Sequence, residues 1–266
     1  MTLTVKNLMD IIEQYAPLTL KEDFDNVGLM VGDIENIVNN ILVCLDCTVE
    51  VIKEAKEKNC NFILSHHPLF FIKPKSITSE TIKGEKVISL IKNDIALYAA
   101  HTNLDSTKGG LNDFAVELLG FKEFEVIDKK ENTDMGIGRI IKVNGQFTLK
   151  EICKKVKKAY DIEQLRFSGD LNKKIKKIAL INGSGTDYFS LATNLGCDCI
   201  ITGDTTYHYV SDLYEQNVAL IDAGHFNSEW PAMKVVSKIL EKKIEKMGLD
   251  NQVILAETSK DVYNYF

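Results

Sequence analysis

The chain has 266 residues, 45% of them hydrophobic and 26% charged, which is typical of a globular protein with a substantial core. Its net charge of −6 argues against general binding to nucleic acid, and no apolar run approaches the ~20 residues of a membrane span. Asp10 and Glu13 interrupt the apolar residues near the N-terminus, so no secretion signal is predicted and we expect a cytoplasmic protein.

Short apolar strands alternate with helices over the first 120 residues. The predicted elements are a helix at about 5–15, a loop FDNVGLMVGD, a strand at 41–46, a helix from Thr48 to about Asn59, a strand ending at His67, a helix at about 79–93, a strand ending at His101 and a helix at about 110–119. This alternation predicts an α/β layer with a largely parallel sheet.

The pattern changes near residue 124, and a second α/β series follows. Its predicted elements are a half-exposed strand MGIGRIIKV, a helix with a capping box from Thr148 to Glu151, strands QLRFSG, IKKIALI, CIITGD and VALIDAGH, a helix at about 228–247 and a last strand VILAE. We predict two α/β lobes with mixed, largely parallel sheets. Residues 1–125 plus about 225–266 form one lobe, and 126–224 form the other.

Six cysteines occur, at positions 44, 47, 60, 153, 197 and 199. Two pairs have the spacings CxxC and CxC, for which a zinc site is one interpretation. Both pairs lie in very apolar strand-like runs, however, and the favoured interpretation is that they are small buried hydrophobic residues.

The segment 150–177 carries ten Lys or Arg and four Asp or Glu residues. The favoured interpretation is a solvated helix face with flanking strands, and a patch for phosphate or a polyanion is the alternative.

All five histidines follow a predicted strand or lie in the turn after it. They are His66, His67, His101, His208 and His225. Ligands of open α/β sheets bind at the carboxyl ends of strands, because loops converge there. Each histidine alone has a structural explanation, as a surface turn or a local cap. Their common position favours one polar site instead.

Carboxylates accompany two of these histidines. Asp105 follows His101 by four residues, and Glu229 follows His225 by four, a spacing that shares one helix face. His66 and His67 are adjacent, and because neighbouring side chains diverge, they suit two metals better than one. Two ions ~3.5–4 Å apart can lower the pKa of a water held between them. Imidazole and carboxylate ligands suit zinc, manganese, iron or nickel.

Five segments in this order carry a resemblance to a known family. They are FDNVGLMVG (24–32), SHHPLFF (65–71), AAHTNLDS (99–106), ITGDTTYH (201–208) and DAGHFNSE (222–229). Together they resemble the dinuclear metal-centre proteins called GTP cyclohydrolase 1 type 2 homologues, or NIF-three-like proteins, in their short form. The resemblance covers essentially the whole chain. It implies a dinuclear metal site in the cleft between the lobes and a ring-shaped homohexamer.

The resemblance also implies roles for individual residues. His66 and His67 match histidines that each face one metal. Asp105 matches the carboxylate on the first metal, and His225 matches the histidine on the second. Glu229 matches the glutamate that bridges the two metals. His101 matches a histidine beside the ions, for which we expect a catalytic proton-transfer role together with Glu229. His208 ends a motif that lines the same cleft, and we expect it to face substrate.

Two functions are consistent with these residues. The first is a metal-dependent hydrolase that acts, through a metal-activated water, on a nucleotide-like or phosphate-bearing small molecule, with GTP cyclohydrolase activity as one possibility. A minor hint is INGSGTD (181–187), whose backbone N–H groups could hold an anion, although a plain tight turn is the favoured interpretation. The second function is a non-enzymatic hexameric assembly for metal storage or delivery, or for regulated partner binding.

Overall fold

The structure is a computed structural model that describes residues 2–264, and it divides into two compact units. The first unit comprises Met1–Leu104 and Met233–Phe266, and the second comprises Asp105–Ala232. These bounds differ from the predicted lobe boundaries near 125 and 225. A helix at Leu111–Leu118 belongs to the second unit because it packs against two strands of that unit's sheet.

The first unit contains a five-stranded sheet. Its strands are β1 (Gly28–Val31), β2 (Asn40–Cys44), β3 (Cys60–Ser65), β4 (Ala96–Ala99) and β11 (Val253–Leu255), in the order β1-β4-β3-β2-β11. All neighbours pair in parallel except β1, which runs antiparallel to β4 at the edge. The sequence analysis predicts a loop where β1 lies. The strand forms there because Gly28 and Leu29 pair with the end of β4.

Three helices of this unit begin after a threonine. They are α1 (Val5–Tyr15), α2 (Val49–Glu57) and α3 (Ile82–Lys92), and the side chains of Thr4, Thr48 and Thr81 accept backbone N–H groups of the first turns. The predicted cap at Thr48 is therefore confirmed. A short helix that the sequence does not predict, α4 (Thr102–Ser106), follows β4 closely.

The second unit contains a six-stranded mixed sheet. Its strands are β5 (Glu125–Lys129), β6 (Gly136–Thr148), β7 (Arg166–Ser168), β8 (Lys174–Ser184), β9 (Cys199–Gly203) and β10 (Ala219–Asp222), in the order β5-β6-β8-β9-β10-β7. Only β8, β9 and β10 pair in parallel. The prediction of a largely parallel sheet is wrong for this unit. The connection from β5 to β6 is too short for the crossover that parallel neighbours need, so these strands form an antiparallel pair.

The remaining helices begin in the second unit. They are α5 (Leu111–Leu118), α6 (Leu149–Tyr160), α7 (Phe189–Asn194), α8 (Tyr207–Glu215) and α9 (His225–Lys246). The capping box of Thr148 and Glu151 is confirmed, and α6 buries one apolar face while most of its lysines point outward. Among the described residues no helix is both long enough and apolar enough to cross a bilayer.

All six cysteines are buried and form no disulfide. Burial raises their pKa values, to about 12 for Cys47 and about 11 for Cys197, so their thiols stay protonated at neutral pH. Their interpretation as small hydrophobic core residues is confirmed.

Candidate metal-binding site

Three histidines of the first unit meet at the carboxyl ends of two neighbouring parallel strands. His66 and His67 follow β3 directly, and His101 comes two residues after β4. The pairing of Ser65 with Ala99 brings the two strand ends level. As a result, each imidazole offers one ligand nitrogen, and these three nitrogens lie within 4.8 Å of one another.

His66 and His67 do not diverge as neighbours in a strand would. The strand ends at Ser65, and the turn that follows is held by hydrogen bonds from the N–H groups of His66 and His67 to the carbonyls of Cys44 and Leu45. The two ring centroids are 5.2 Å apart, with the planes tilted by 43°. Adjacency in sequence therefore does not restrict these side chains to two different ions.

Each of the three imidazoles is anchored through its Nδ1 atom to an oxygen. The contacts are His66 Nδ1 to the Ala100 carbonyl at 2.8 Å, His67 Nδ1 to Asp46 Oδ1 at 2.9 Å and His101 Nδ1 to Asp25 Oδ2 at 3.0 Å. Carbonyl and ionised carboxylate oxygens only accept, so in the neutral rings the proton is on Nδ1 and the lone pair is on Nε2. Histidine ligands of metals usually have such an oxygen partner, which fixes both ring orientation and tautomer.

Asp25 is the most enclosed of these anchors, with no exposed side-chain surface. One oxygen, Oδ2, also accepts the N–H of Thr102 at 3.0 Å and the Thr102 hydroxyl at 2.5 Å, and the other accepts the N–H of Asn26. Burial raises the pKa of Asp25, but the hydrogen bonds from His101 and Thr102 outweigh it and lower the value to about 2. Asp25 is therefore a permanent carboxylate at neutral pH.

The second unit brings His225 and Glu229 together at the start of α9. The Nε2 atom of His225 lies 3.3 Å from Glu229 Oε2, as the spacing of four residues predicts. Asp204 Oδ2 lies 3.4 Å from His225 Nδ1, on the opposite side of the ring. Glu229 is buried, whereas the side chain of His225 is 35% exposed and accessible to a ligand.

Gly183, near the end of β8, closes one side of this pair. A Cβ at this position would lie 2.2 Å from Glu229 Oε1 and 3.1 Å from His225 Nε2. The N–H of Gly183 donates to the Ser228 hydroxyl at 2.9 Å, and that of Gly185 donates to Thr202 Oγ1 at 3.1 Å. These two N–H groups have internal partners and are therefore not available to an anion, and Gly183 packs against His225 and Glu229.

Asp222 organises the two loops that carry Asp204 and His225. It ends β10, is buried, and accepts the N–H and the hydroxyl of Thr205, the N–H of Gly224 and the guanidinium of Arg166. Burial opposes ionisation, but these hydrogen bonds lower the pKa of Asp222. This carboxylate thus fixes the turn directly before His225.

The two other predicted site residues also lie in the second unit. Asp105 is buried in α4, and its backbone carbonyl accepts the side-chain amide of Asn112 at 3.1 Å. His208 is exposed in the first turn of α8, with its ring edge-on to Tyr207 at 5.6 Å. The metal-ligand role of Asp105 and the substrate-facing role of His208 stay predictions.

Four residues with evident roles around these side chains were missed in the sequence analysis, and they are Asp25, Asp46, Gly183 and Asp222. Asp46 and Asp222 follow or end apolar strands, the same signal that selects the histidines. Asp25 and Asp222 lie in two of the five motifs, FDNVGLMVG and DAGHFNSE, but nothing local indicates that Asp25 meets His101, which is 76 residues away in the chain.

The donor groups fit a divalent transition metal. Neutral imidazoles and buried carboxylates without thiolates are the ligands of zinc, manganese, iron and nickel sites, and the oxygen anchors on Nδ1 are the usual outer support. Histidine and glutamate groups that can bind metal are therefore present in this protein.

A sequence profile of the Duf34/NIF3 (NGG1p interacting factor 3) family matches residues 3–262. The chain belongs to this family. The NIF3 assignment agrees with a "GTP cyclohydrolase 1 type 2 homolog" from Clostridium acetobutylicum, which is 52% identical and aligns over 100% of both chains. The resemblance derived from the five sequence motifs is thus confirmed.

Solved structures show the same NIF3 fold. The crystal structure of Staphylococcus aureus protein SA1388 is similar with a TM-score of 0.92 at 29% identity, covering 99% of both chains. A Bacillus cereus protein related to NIF3 gives a TM-score of 0.93 at 23% identity over 100% of both chains, which supports the fold alone. The mixed α/β architecture is therefore that of the family.

Proposed function

We propose that this NIF3-family protein is a metal-dependent hydrolase that binds two divalent ions and acts on a nucleotide-like or phosphate-bearing small molecule. The proposed metal ligands are His66, His67, Asp105, His225 and Glu229. The observation that carries the proposal is the cluster of three imidazoles, each anchored on Nδ1 by an oxygen. Histidines that bind metal usually donate their other ring N–H to such an oxygen, which fixes the ring orientation and the tautomer.

Two bound divalent ions would supply a water of lowered pKa and would neutralise charge that develops on a phosphate or carbonyl oxygen. The protein's own residues provide the orientation. Asp25 holds His101 through Nδ1 and so presents Nε2 as the atom that accepts and returns a proton. Gly183, which lacks a Cβ, leaves space for the carboxylate of Glu229, and the hydrogen bond from its N–H to the Ser228 hydroxyl links the first turn of α9 to β8. His208 is proposed to contact substrate.

The assembly and the location are also proposals. We propose a homohexamer of the 29.9 kDa chain that works in the cytoplasm without membrane or nucleic-acid partners. The name GTP cyclohydrolase 1 type 2 homolog, carried by the C. acetobutylicum relative, makes GTP ring opening one reaction to test.

The test begins with metal analysis of protein purified without chelator. We expect two ions per chain at saturation. The reloaded protein is then assayed with phosphatase, nucleotide and cyclohydrolase substrates, using zinc, manganese, iron and nickel in turn. Turnover by the reloaded protein, absent from the metal-free protein, is the predicted result, and two bound ions without turnover on any substrate would contradict a hydrolase.

The variant His101→Ala distinguishes the enzyme from a metal-storage assembly. The loss of a proton-transfer group is expected to lower turnover by ~10²–10⁴-fold while two ions still bind at saturating metal. A storage or partner-binding protein would instead bind and release its metal almost as the wild type does. Unchanged turnover in His101→Ala would rule out the proposed role of this histidine.

A further inference from the structure

A cavity of about 260 Å³ lies between α5 and the β5–β6 hairpin of the second unit. Among the described residues, those that line it all belong to this unit and differ from the proposed metal ligands. Cavities that hold small molecules usually measure ~300–1,000 Å³, so this one suits a small ligand. Its wall combines an enclosed arginine, an aromatic ring and two lysines.

Arg139 forms part of this wall and is almost fully enclosed. Its side chain is 1% exposed, and that of its ion-pair partner Asp113 is 6% exposed. The Nε atom donates to Asp113 Oδ1, and Nη1 donates to the carbonyls of Gly136 at 2.7 Å and Gly138 at 2.9 Å. A guanidinium has five N–H donors, and the two on Nη2 have no acceptor within residues 2–264, the described part of the chain. Because buried donors normally have a partner, Nη2 is suited to an acceptor that enters the cavity.

The wall next to Arg139 is apolar. The Cζ atom of Arg139 lies 5.6 Å from the centre of the Phe124 ring, within the range of a cation–π contact. Phe124 and Val126 both line the cavity and are half-buried. A cation thus adjoins an apolar surface, which suits a ligand that combines an anionic group with an apolar or aromatic body.

The charges around the cavity indicate how much charge such a ligand carries. Three carboxylates line the cavity, and each is paired with a cation. The pairs are Asp113 with Arg139, Glu125 with Lys142, and Asp134 with Lys129. Lys108 also lines the cavity, but it is exposed and has no ion pair in the part of the chain that the structure describes. Four cations and three carboxylates therefore lie in or beside the wall, which leaves one net positive charge for a singly charged anion to balance.

We propose that this cavity binds a small monocarboxylate with an apolar or aromatic body. Nη2 of Arg139 and Nζ of Lys108 donate to the carboxylate oxygens, and the Phe124 ring packs against the body. A doubly charged phosphate fits less well, because the wall offers one unbalanced cation and is otherwise apolar or internally paired. Binding here requires no metal ion and is therefore independent of the proposed hydrolase function.

Fluorine NMR of para-fluorobenzoate added to the purified full chain tests the proposal. We expect saturable binding at one site per chain that persists after metal has been removed from the protein. The neutral isostere para-fluorobenzamide is expected to bind at least ~10-fold more weakly, because hydrogen bonds that involve ionised groups are stronger than those between neutral groups. Equal binding of the amide, or tighter binding of inorganic phosphate to the metal-free protein, would overturn the proposal.

Variants of the chain locate the bound carboxylate. Replacing Arg139 would leave Asp113 buried without its cation and endanger folding, so Lys108 and Phe124 are changed instead. Lys108→Ala is expected to lower the affinity for para-fluorobenzoate by ~3–10-fold, and Phe124→Leu, which keeps an apolar side chain, by ~2–10-fold. The matched control is Lys154→Ala, which removes an exposed lysine of α6 and should leave the affinity unchanged. Binding that disappears with the metal and is unchanged in Lys108→Ala would place the carboxylate at the metal site and contradict this proposal, while leaving the proposed function intact.

Discussion

Gly183 lies where any side chain would collide with two of the proposed ligands. Its φ is +58°, and an added Cβ would lie 2.2 Å from Glu229 Oε1. Glu229 is buried and packed from this side, so it cannot keep its position beside His225 if Gly183 gains a methyl group. The requirement for glycine here is set by the candidate site as well as by the backbone.

Gly183→Ala is therefore expected to lower metal affinity by at least ~10-fold, because the carboxylate of Glu229 must move. The left-handed backbone adds a cost to stability of ~1–2 kcal/mol. The matched control is Gly145→Ala, which has a φ of +75° and no atom within 4 Å of the added Cβ. Calorimetric metal titration of both variants makes the comparison. If both variants lose metal affinity equally, or if neither loses any, Gly183 does not support the ligands.

At the scale of elements, helix α2 holds the C-terminal segment through one buried carboxylate. Glu54 accepts the N–H groups of Glu257 at 2.8 Å and Thr258 at 2.9 Å, the Thr258 hydroxyl, and Lys58 Nζ at 2.8 Å. One residue after Thr258, the hydroxyl of Ser259 accepts the N–H of Leu45. Leu45 directly precedes Asp46, the residue that anchors His67. The segment therefore braces the end of β2.

The contribution of Glu54 to stability should depend on pH. Burial raises its pKa, but the hydrogen bonds from Lys58 and Thr258 outweigh this and lower it from 4.5 to about 2. Because the pKa of this carboxyl is lower in the folded than in the unfolded chain, its ionised form stabilises the folded state at pH values above the unfolded-state pKa. This stabilisation is lost as the pH falls from 4.5 towards 2. Glu54→Gln is expected to reduce the free energy of unfolding at pH 7 by ~1–3 kcal/mol, with a smaller difference from the wild type below pH 4.5.

Glu50→Gln is the control for this measurement. Glu50 also pairs with a lysine of α2, but its side chain is 64% exposed, so its removal should change stability little. Urea unfolding at several pH values measures both variants. A difference between wild type and Glu54→Gln that stays constant from pH 7 to pH 3 would refute the assigned pKa.

The elements also show what sequence can and cannot predict. Thr48 and the capping box at Thr148 mark helix starts locally, and the histidines after β3 and β4 mark the strand ends where a site forms. That the three rings converge depends on the register of β3 with β4, and Asp25 reaches His101 only through the tertiary fold. The antiparallel pairing of β5, β6 and β8 was missed because apolar periodicity does not reveal strand direction.

At the scale of the whole molecule, the chain distributes its proposed ligands over two compact units. His66 and His67 belong to the first, and Asp105, His225 and Glu229 belong to the second. Within each unit, neighbouring groups position the proposed ligands. Oxygen atoms accept hydrogen bonds from the imidazoles of the first unit, and Gly183 and Asp222 lie next to the segment that carries His225 and Glu229 in the second. We propose that these five side chains bind one pair of ions.

Anomalous diffraction from crystals of the full chain, saturated with zinc or manganese and measured at the metal edge, tests whether the five side chains bind one pair of ions. The predicted result is two anomalous peaks per chain, ~3.5–4 Å apart, with Glu229 bound to both and imidazole nitrogens on each. Ions bound at separate places, or a single ion at saturation with Glu229 and His225 unbound, would contradict it.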